Sequence, residues 1–300
     1  MSRYFSLADM PDMTGKTVVV TGATMGLGYH SARVFASHGA RVLVHGRTAE
    51  KAGKAVEQLQ AETGSEELVA VHGDLSSLDS VKKLANAISK ATKRIDVLML
   101  NAGVAGLDFE LSQDGIEMHM AVNYVAHFYL FKKLEHTLKV SKARVVSVSS
   151  GAAASTCHAG GVPLSLEAWN NKAEYNELRS YGDSKLANIL FTKYVAEHYG
   201  SAGIVATVVD PGVVWTALNA RAAGSSMFSM FLRNVAWFFS SKPEEAVLTQ
   251  IFASVSPRVE NGTSWQLVCL PWDVRGKTQG EGAALLWKMT EKVLREKGFA

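Results

Sequence analysis

The feature that most constrains the fold is a regular alternation of short apolar runs with longer helical patterns. The run from Thr17 to Thr21 is followed by a glycine-rich turn, a helical segment and a second β-branched run from Arg41 to Val44. Such alternation is typical of β-α-β units, in which a helix joins two parallel strands. The pattern continues through LVAVHGDL, IDVLMLNAG, ARVVSVSS and IVATVVDPG, each preceded by a helical pattern.

The predicted strands are apolar throughout, as in TVVVT, DVLML and RVVSV, so helices should cover both faces of a parallel sheet. The chain has 300 residues and neither an internal repeat nor a Pro/Gly/Ser-rich linker. We therefore predict the α/β class, with one doubly wound (Rossmann) domain over 1–300 and a parallel sheet between two helix layers. Residues from about 213 to 242 interrupt the alternation and are predicted to form a substrate lid.

Charge and cysteine content exclude several classes of protein. The formal net charge of +3 is spread without a basic block, so nucleic-acid binding is not expected. Cys157 and Cys269 provide neither a disulfide framework nor a four-ligand zinc site, and no metal is expected. The N-terminus lacks the apolar region of a signal peptide, and no apolar run reaches the roughly 18 residues that span a bilayer. A soluble, cytoplasmic protein is expected.

One apolar and aromatic stretch, MFSMFLRNVAWFF at 227–239, has three interpretations. It could cover a lipophilic substrate, make a peripheral membrane contact, or pack in the core.

The turn TGATMGLG follows the first strand and opens the first helix, with Gly22, Gly26 and Gly28 in it. Glycines at such a turn let backbone N–H groups approach a pyrophosphate, which the helix N-terminus favours. The spacing differs from the G-x-G-x-x-G fingerprint, so a tight turn without a ligand is the alternative.

The second strand ends in VHGRT, which offers Arg47 and no carboxylate. An acidic residue there would bind the ribose hydroxyls of NAD, whereas a guanidinium can neutralise a 2′-phosphate. The sequence therefore favours NADP(H) over NAD(H).

Tyr181 and Lys185 stand four residues apart in YGDSK, so a helix places both on one face. A nearby ammonium is expected to lower the pKa of the phenol, which would suit it to acid/base work during hydride transfer. Four histidines, His45, His72, His119 and His127, show no pairing with Cys or carboxylates at ligand spacing and are predicted to be structural.

Together, TGATMGLG, HGDL, LNAG, the asparagine of AVNYVAHF, VSVSS, YGDSK and DPGVVWT resemble the short-chain dehydrogenase/reductase superfamily over about residues 15 to 220. The segments YGDSKLANILFTKYVAEHYG, HMAVNYVAHFYLF and LWKMTEKVL are most similar to its retinol-dehydrogenase-like branch, many of whose members use NADP(H). Leu100 departs from the usual N-N-A-G motif.

The resemblance implies that Tyr181 is the general acid/base, that Lys185 lowers its pKa, that Ser150 binds the substrate oxygen, and that Asn123 holds a water of a proton relay. An insertion before Tyr181, HAGGVPLSLEAWNNKAEYNELRS, leaves the choice among Ser147, Ser149 and Ser150 open. The residues predicted to bind the cofactor are Gly22, Thr24, Met25, Gly26, Leu27, Gly28, Arg47, Asp74, Leu75, Asn101, Ala102, Gly103, Tyr181, Lys185, Pro211, Gly212, Val213 and Thr216.

The function expected from this resemblance is NADP(H)-dependent interconversion of a carbonyl and an alcohol on a small lipophilic substrate, as in a ketoreductase. Two alternatives are a protochlorophyllide-reductase-like NADPH enzyme and a catalytically silent NADP(H)-binding scaffold. The oligomeric state is left open.

Overall fold

The computed structural model of the chain describes residues 5–212, 243–266, 270–271 and 281–299. Its strands are β1 Thr17–Val20, β2 Arg41–Gly46, β3 Leu68–His72, β4 Val97–Leu100, β5 Arg144–Val148, β6 Val205–Asp210, β7 Ser264–Gln266 and β8 Leu270–Pro271. They form one sheet in the order β3-β2-β1-β4-β5-β6-β7-β8. Strands β1 to β7 are parallel, as predicted, and β8 is antiparallel to β7.

Helices cover both faces of the sheet, which confirms the predicted layered architecture. They are α1 Gly26–Ser37, α2 Ala49–Thr63, α3 Leu78–Ala91, α4 Met118–Met120, α5 Ala126–Ser141, α6 Ala152–Ser155, α7 Leu166–Trp169, α8 Glu177–Tyr199, α9 Pro243–Val255 and α10 Gly282–Glu296, with short 3-10 turns at Leu7–Asp9, Lys172–Glu174 and Gly200–Ala202. Val18 and Val20 of β1 belong to a core with α1, α2 and α9, and Val19 belongs to the opposite core with α3, α5, α8 and α10. All three valines are fully buried because each face of the strand meets helices.

The strand order reverses between β1 and β4. From β1 the chain proceeds outwards to β2 and β3, then returns to place β4 on the other side of β1. The loops that leave the carboxyl ends of β1 and β4 therefore diverge and open a crevice. The fold predicts a ligand site at this edge.

The segment GIEMHMAVNYVAHFYLFKKLEHTL is not one continuous helix. A single turn, α4, leads into a π-helical turn at Ala121–Val125, and the regular helix α5 starts at Ala126. The Asn123 side chain lies in this wide turn and forms hydrogen bonds to the backbone of Val104. Single π turns are frequent at functional sites.

The insertion between β5 and α8 folds against the body of the protein. His158 bonds to Asp183 of α8 through its backbone N–H and its ring, and Trp169 donates its indole N–H to the Pro163 carbonyl at 2.7 Å. Helix α8 begins at Glu177 because the Asn176 side chain caps it by accepting the Arg179 N–H at 2.9 Å.

Candidate active site

Half-buried residues gather where the carboxyl ends of the central strands meet. The strands themselves are buried, but exposure returns at Gly22 after β1, at 101–104 after β4, at Ser150 after β5 and at 211–212 after β6. Tyr181 on α8 is half-buried as well. The predicted site residues therefore border one crevice at the point where the strand order reverses.

The glycine-rich turn has the backbone geometry that the sequence predicted. Gly22 and Gly26 adopt positive φ angles of 66° and 57°. A Cβ at Gly22 would lie 2.9 Å from the Cα of Ala102, so only glycine allows the two loops to approach this closely. Helix α1 begins at Gly26, and the Met25 side chain gives it no capping hydrogen bond. First-turn amides have no partners within a helix, so the turn suits a pyrophosphate.

Gly28 is the least replaceable residue of this turn. A Cβ there would lie 2.4 Å from the Gly22 carbonyl oxygen and from Asn101 Nδ2. Gly28→Ala should therefore destabilise the protein by about 1–3 kcal/mol and weaken dinucleotide binding, because the turn must open. Urea unfolding and dinucleotide titration measure the two effects. Gly53→Ala in α2, where a Cβ would meet nothing within 4 Å, is the matched control and should not destabilise the protein. Equal stability of the two variants would contradict the prediction.

The ring of His45 stabilises the glycine-rich turn. Its Nδ1 accepts the Gly22 N–H at 3.0 Å, and its Nε2–H donates to the Gly73 carbonyl at 2.9 Å. Burial lowers the pKa of His45 to about 4, so the ring is neutral at physiological pH. The histidine is structural, as predicted, and it joins the loops that follow β1 and β3.

Arg47 and Asp74 meet at the outer end of the crevice. Arg47 Nε donates to Asp74 Oδ2 at 2.9 Å, and Asp74 Oδ1 accepts from the backbone and hydroxyl of Ser76. These bonds outweigh partial burial and lower the pKa of the Asp74 carboxyl. The Arg47 side chain is 68% exposed, so its guanidinium can reach a ligand. Leu75, one of the residues predicted to bind the cofactor, is 7% exposed and packs in the core.

The loop after β4 is fastened to the end of β1. The Thr21 hydroxyl oxygen accepts the backbone N–H groups of Asn101 at 2.8 Å and Ala102 at 3.0 Å. Asn101 uses its own amide to donate to the Thr21 carbonyl and to accept from Gln250. The side chain of Asn101 therefore joins this loop to neighbouring segments. The backbone of Ala102 and Gly103 is the part of the loop that a cofactor could contact.

Asn123 and His127 hold the other side of this loop. Asn123 Oδ1 accepts the Val104 N–H at 2.7 Å, and its Nδ2 donates to the Val104 carbonyl and the Ser184 hydroxyl. The His127 Nδ1–H donates to the Asn123 carbonyl at 3.1 Å, and its Nε2 lies 3.0 Å from the Thr21 hydroxyl. Burial lowers the pKa of His127 to about 3, so the ring is neutral. The Asn123 side chain is thus occupied by protein groups, and a water of the predicted relay would share the Asn123 carbonyl with the His127 Nδ1–H.

Ser150 is the serine that lies beside Tyr181. The Ser149 hydroxyl donates to the Lys185 carbonyl at 2.7 Å, and the Ser147 hydroxyl is buried without a partner among the described residues. The Ser150 hydroxyl instead lies close enough to the Tyr181 phenol to lower its pKa. The structure thus gives the three serines different surroundings, which spacing in the sequence could not distinguish.

Lys185 lies on the same helix face as Tyr181, with Nζ 5.7 Å from the phenol ring centre. Nζ donates to the Val148 carbonyl at 3.1 Å, and burial lowers its pKa to about 8. Burial raises the pKa of Tyr181 to about 12, although the Ser150 hydroxyl lowers it. Lys185 is not among the groups that shift this pKa in the protein alone, where the cost of burying a phenolate dominates.

His119, also predicted to be structural and unpaired, has a carboxylate partner. Its Nδ1 lies 2.8 Å from Glu117 Oε1, both side chains are fully buried, and its ring is 6.0 Å from the Tyr181 ring in an edge-to-face arrangement. Its Nε2 has no hydrogen-bond partner among the described residues. Sequence analysis missed this pair because the two residues are two apart, a spacing at which helix side chains do not face each other.

Some predictions lie outside the described residues. These are Val213, Thr216, the proposed lid at 213–242 and the apolar stretch at 227–239. Within the described part of the chain, no three His, Cys, Asp or Glu side chains converge as metal ligands. No helix among those residues is long and apolar enough to cross a bilayer.

Comparison with known proteins agrees with the geometry. The family model for short chain dehydrogenases matches residues 16–162. Human retinol dehydrogenase 14 is 33% identical over 296 residues, covering 93% of this chain and 86% of that protein. Human polyprenol dehydrogenase is 32% identical over 257 residues, covering 83% and 76%.

The fold has a close counterpart among solved structures. A crystal structure of an uncharacterized protein from Mycobacterium paratuberculosis superposes with a TM-score of 0.75 at 25% identity, covering 97% of this chain and 98% of that one. Members of the matched family are oxidoreductases that use nicotinamide cofactors. The predicted resemblance is confirmed: the chain belongs to the short-chain dehydrogenase/reductase superfamily, in its retinol-dehydrogenase-like branch.

Proposed function

We propose that this protein is an NADP(H)-dependent oxidoreductase that interconverts a carbonyl and a primary or secondary alcohol on a bulky apolar substrate. The observation that carries the proposal is the grouping of Ser150, Tyr181 and Lys185 at the crevice that the glycine-rich turn also borders. A proton donor and a cradle for a dinucleotide thus share one edge of the sheet.

The residues of the site divide the work of carbonyl reduction. A bound nicotinamide supplies the hydride that reaches the carbonyl carbon. Ser150 donates a hydrogen bond to the substrate oxygen, and Tyr181 gives that oxygen its phenolic proton. With a pKa raised to about 12, Tyr181 carries this proton at neutral pH and is ready to donate. In the oxidative direction the same groups take the proton back from the alcohol.

Lys185 and Asn123 support the proton transfer. We infer that the Lys185 ammonium, with a pKa of about 8, passes a proton towards Tyr181 and binds the ribose next to the nicotinamide. The carbonyl of Asn123 is the acceptor that holds a relay water. Retention of all four groups argues against a silent scaffold, because a protein that only binds the cofactor has no use for an acid/base relay.

The names of two relatives support the proposed substrate class. Two of them are named for retinol and polyprenol, both apolar alcohols. NADPH absorbance, followed with a panel of lipophilic aldehydes, ketones and alcohols, tests the activity. Failure to consume NADPH with every carbonyl, together with failure to reduce NADP⁺ with every alcohol, would refute it.

Cofactor choice is tested at Arg47. Arg47→Asp should raise the KM for NADPH by about 10- to 100-fold, because it removes a charge-assisted bond to the 2′-phosphate and adds a second carboxylate beside Asp74. The KM for NADH should change little. Steady-state kinetics with both cofactors gives the ratio of catalytic efficiencies.

Arg41→Gln provides the matched control, since Arg41 lies at the opposite end of β2 near Glu67. It should leave the cofactor preference unchanged. An unaltered preference in Arg47→Asp would remove Arg47 from the cofactor site.

A further inference from the structure

The ring of His119 is a buried polar group beside Tyr181 that the proposed reaction has not used. His119 lies in α4 and is 0% exposed. Its ring centre is 6.0 Å from that of Tyr181, and the two ring planes meet at 69°. Aromatic pairs at such a distance favour this edge-to-face arrangement. A ring in contact with Tyr181 restricts where the hydroxyl of this proposed proton donor can lie.

The buried carboxylate of Glu117 determines how the His119 ring is turned. Glu117 Oε1 lies 2.8 Å from His119 Nδ1, and because a carboxylate only accepts hydrogen bonds, Nδ1 carries the hydrogen and donates it. Glu117 Oε2 accepts the Met120 N–H at 2.9 Å. His119 Nε2 has no hydrogen-bond partner among the described residues, so the orientation of the ring depends on the bonds at Nδ1.

The insertion before Tyr181 supports this pair of side chains. Asn170 and Tyr175 both belong to the insertion. Asn170 Oδ1 accepts the Glu117 N–H at 2.9 Å, and the Tyr175 hydroxyl oxygen lies 3.4 Å from His119 Nδ1. The inserted segment therefore contacts both members of the pair.

Other buried carboxylates near the crevice have different partners. Asp183, two residues after Tyr181, uses both oxygens on His158. Asp210, at the end of β6, accepts the Gly212 N–H at 2.9 Å. Glu117, in contrast, holds a ring that contacts Tyr181.

We propose that His119 is a positioning residue for Tyr181: its imidazole ring, oriented by the Glu117 carboxylate, packs against the phenol ring and holds the phenol hydroxyl at the crevice where the substrate oxygen would bind. The inference rests on the proposed function for its effect on the reaction. The contact itself involves only the protein's own side chains, so it can be measured without substrate or cofactor.

Two substitutions separate the ring of His119 from its hydrogen bond. His119→Asn removes the ring and keeps an N–H that can donate to Glu117, whereas His119→Phe keeps a ring and removes that donor. His119→Asn should lower kcat for carbonyl reduction by about 10- to 100-fold, because the proton donor is no longer held in place. His119→Phe should keep more of kcat, although it should unfold at lower urea concentration, because a buried carboxylate loses its partner.

A purely structural role for His119 predicts the opposite order of activities. If the ring served only to satisfy the buried Glu117, His119→Asn would be closer than His119→Phe to the wild-type kcat, and that result would overturn the inference. The KM for the dinucleotide should stay unchanged in both variants. In the Tyr181→Phe background, His119→Asn should cause no further loss of kcat, because no hydroxyl is left to position. A full further loss there would also overturn the inference.

A second readout needs neither substrate nor cofactor. In protein with ¹³C-labelled tyrosine rings, the Tyr181 signals are identified by their loss in Tyr181→Phe. The flip rate of the Tyr181 ring should rise by about 2- to 10-fold in His119→Asn, the factor that corresponds to one aromatic contact. It should return towards the wild-type rate in His119→Phe. Glu135→Gln, which removes a half-buried carboxylate bound to Lys139 and Tyr199, is the control and should leave the flip rate unchanged.

The flip rate distinguishes failure of this inference from failure of the proposed function. An unchanged rate in folded His119→Asn would overturn the inference, whatever the activity. A faster flip in a protein that turns over no carbonyl and no alcohol would support the contact and refute the proposed function. If His119→Asn fails to fold, which thermal unfolding reports, His119→Leu also removes the ring and is judged by the same flip rate.

Discussion

Tyr181→Phe should reduce kcat for carbonyl reduction by about 10²- to 10⁴-fold, the usual contribution of a positioned general acid. The change removes one hydroxyl and keeps the ring, so the edge-to-face contact with His119 at 6.0 Å is retained. Ser150 still binds the substrate oxygen, but no group at that position can supply the proton. Cofactor binding should be nearly unaffected, because the phenyl ring is retained and the glycine-rich turn, which is predicted to hold the pyrophosphate, is unchanged.

The measurement pairs single-turnover NADPH oxidation with a fluorescence titration of NADPH binding. Tyr194→Phe is the matched control: it removes a hydroxyl from the same helix, α8, at a ring stacked on Trp287 with centroids 4.1 Å apart. It should keep wild-type turnover. Full turnover in Tyr181→Phe would show that another group donates the proton and would refute the assigned mechanism.

The layered sheet and the glycine-rich turn could be predicted because their signals are local. Uniformly apolar runs such as TVVVT indicate burial on both faces of the sheet. The glycines of the turn indicate positive φ angles, which other residues rarely adopt. Tyr181 and Lys185 were predicted to share a face because four residues nearly complete a helical turn. The structure places them so, with Lys185 Nζ 5.7 Å from the phenol ring centre.

The features that could not be predicted depend on contacts between segments that are far apart in the chain. Asp210 lies beside the end of β5 only because β6 pairs with β5 in the sheet, and no spacing in the chain encodes that order. The choice of Ser150 over Ser149 depends on the same placement. The direction of the Tyr181 pKa was wrong for a related reason: helical spacing reports the nearby Lys185 but not the depth of burial, and burial dominates.

Acid should destabilise the protein through two buried histidines that brace the cofactor crevice. His45 and His127 have pKa values lowered by burial to about 4 and about 3, whereas unfolded histidine titrates near 6.5. Below about pH 6.5 these two histidines therefore bind protons in the unfolded chain but not in the native protein. The free energy of unfolding falls with falling pH until the native pKa values are reached. Each histidine should cost about 2 kcal/mol between about pH 7.5 and about pH 5.

Urea unfolding at those two pH values measures the loss, about 4 kcal/mol from the pair. His127→Gln removes one titrating group and should roughly halve this part of the pH dependence, even if it lowers stability at both pH values by breaking the bonds to Asn123 and Thr21. His136→Gln, at an exposed position, should leave the pH dependence unchanged. A wild-type protein equally stable at both pH values would mean that His45 and His127 accept protons in place, and that neutral rings do not hold the loops.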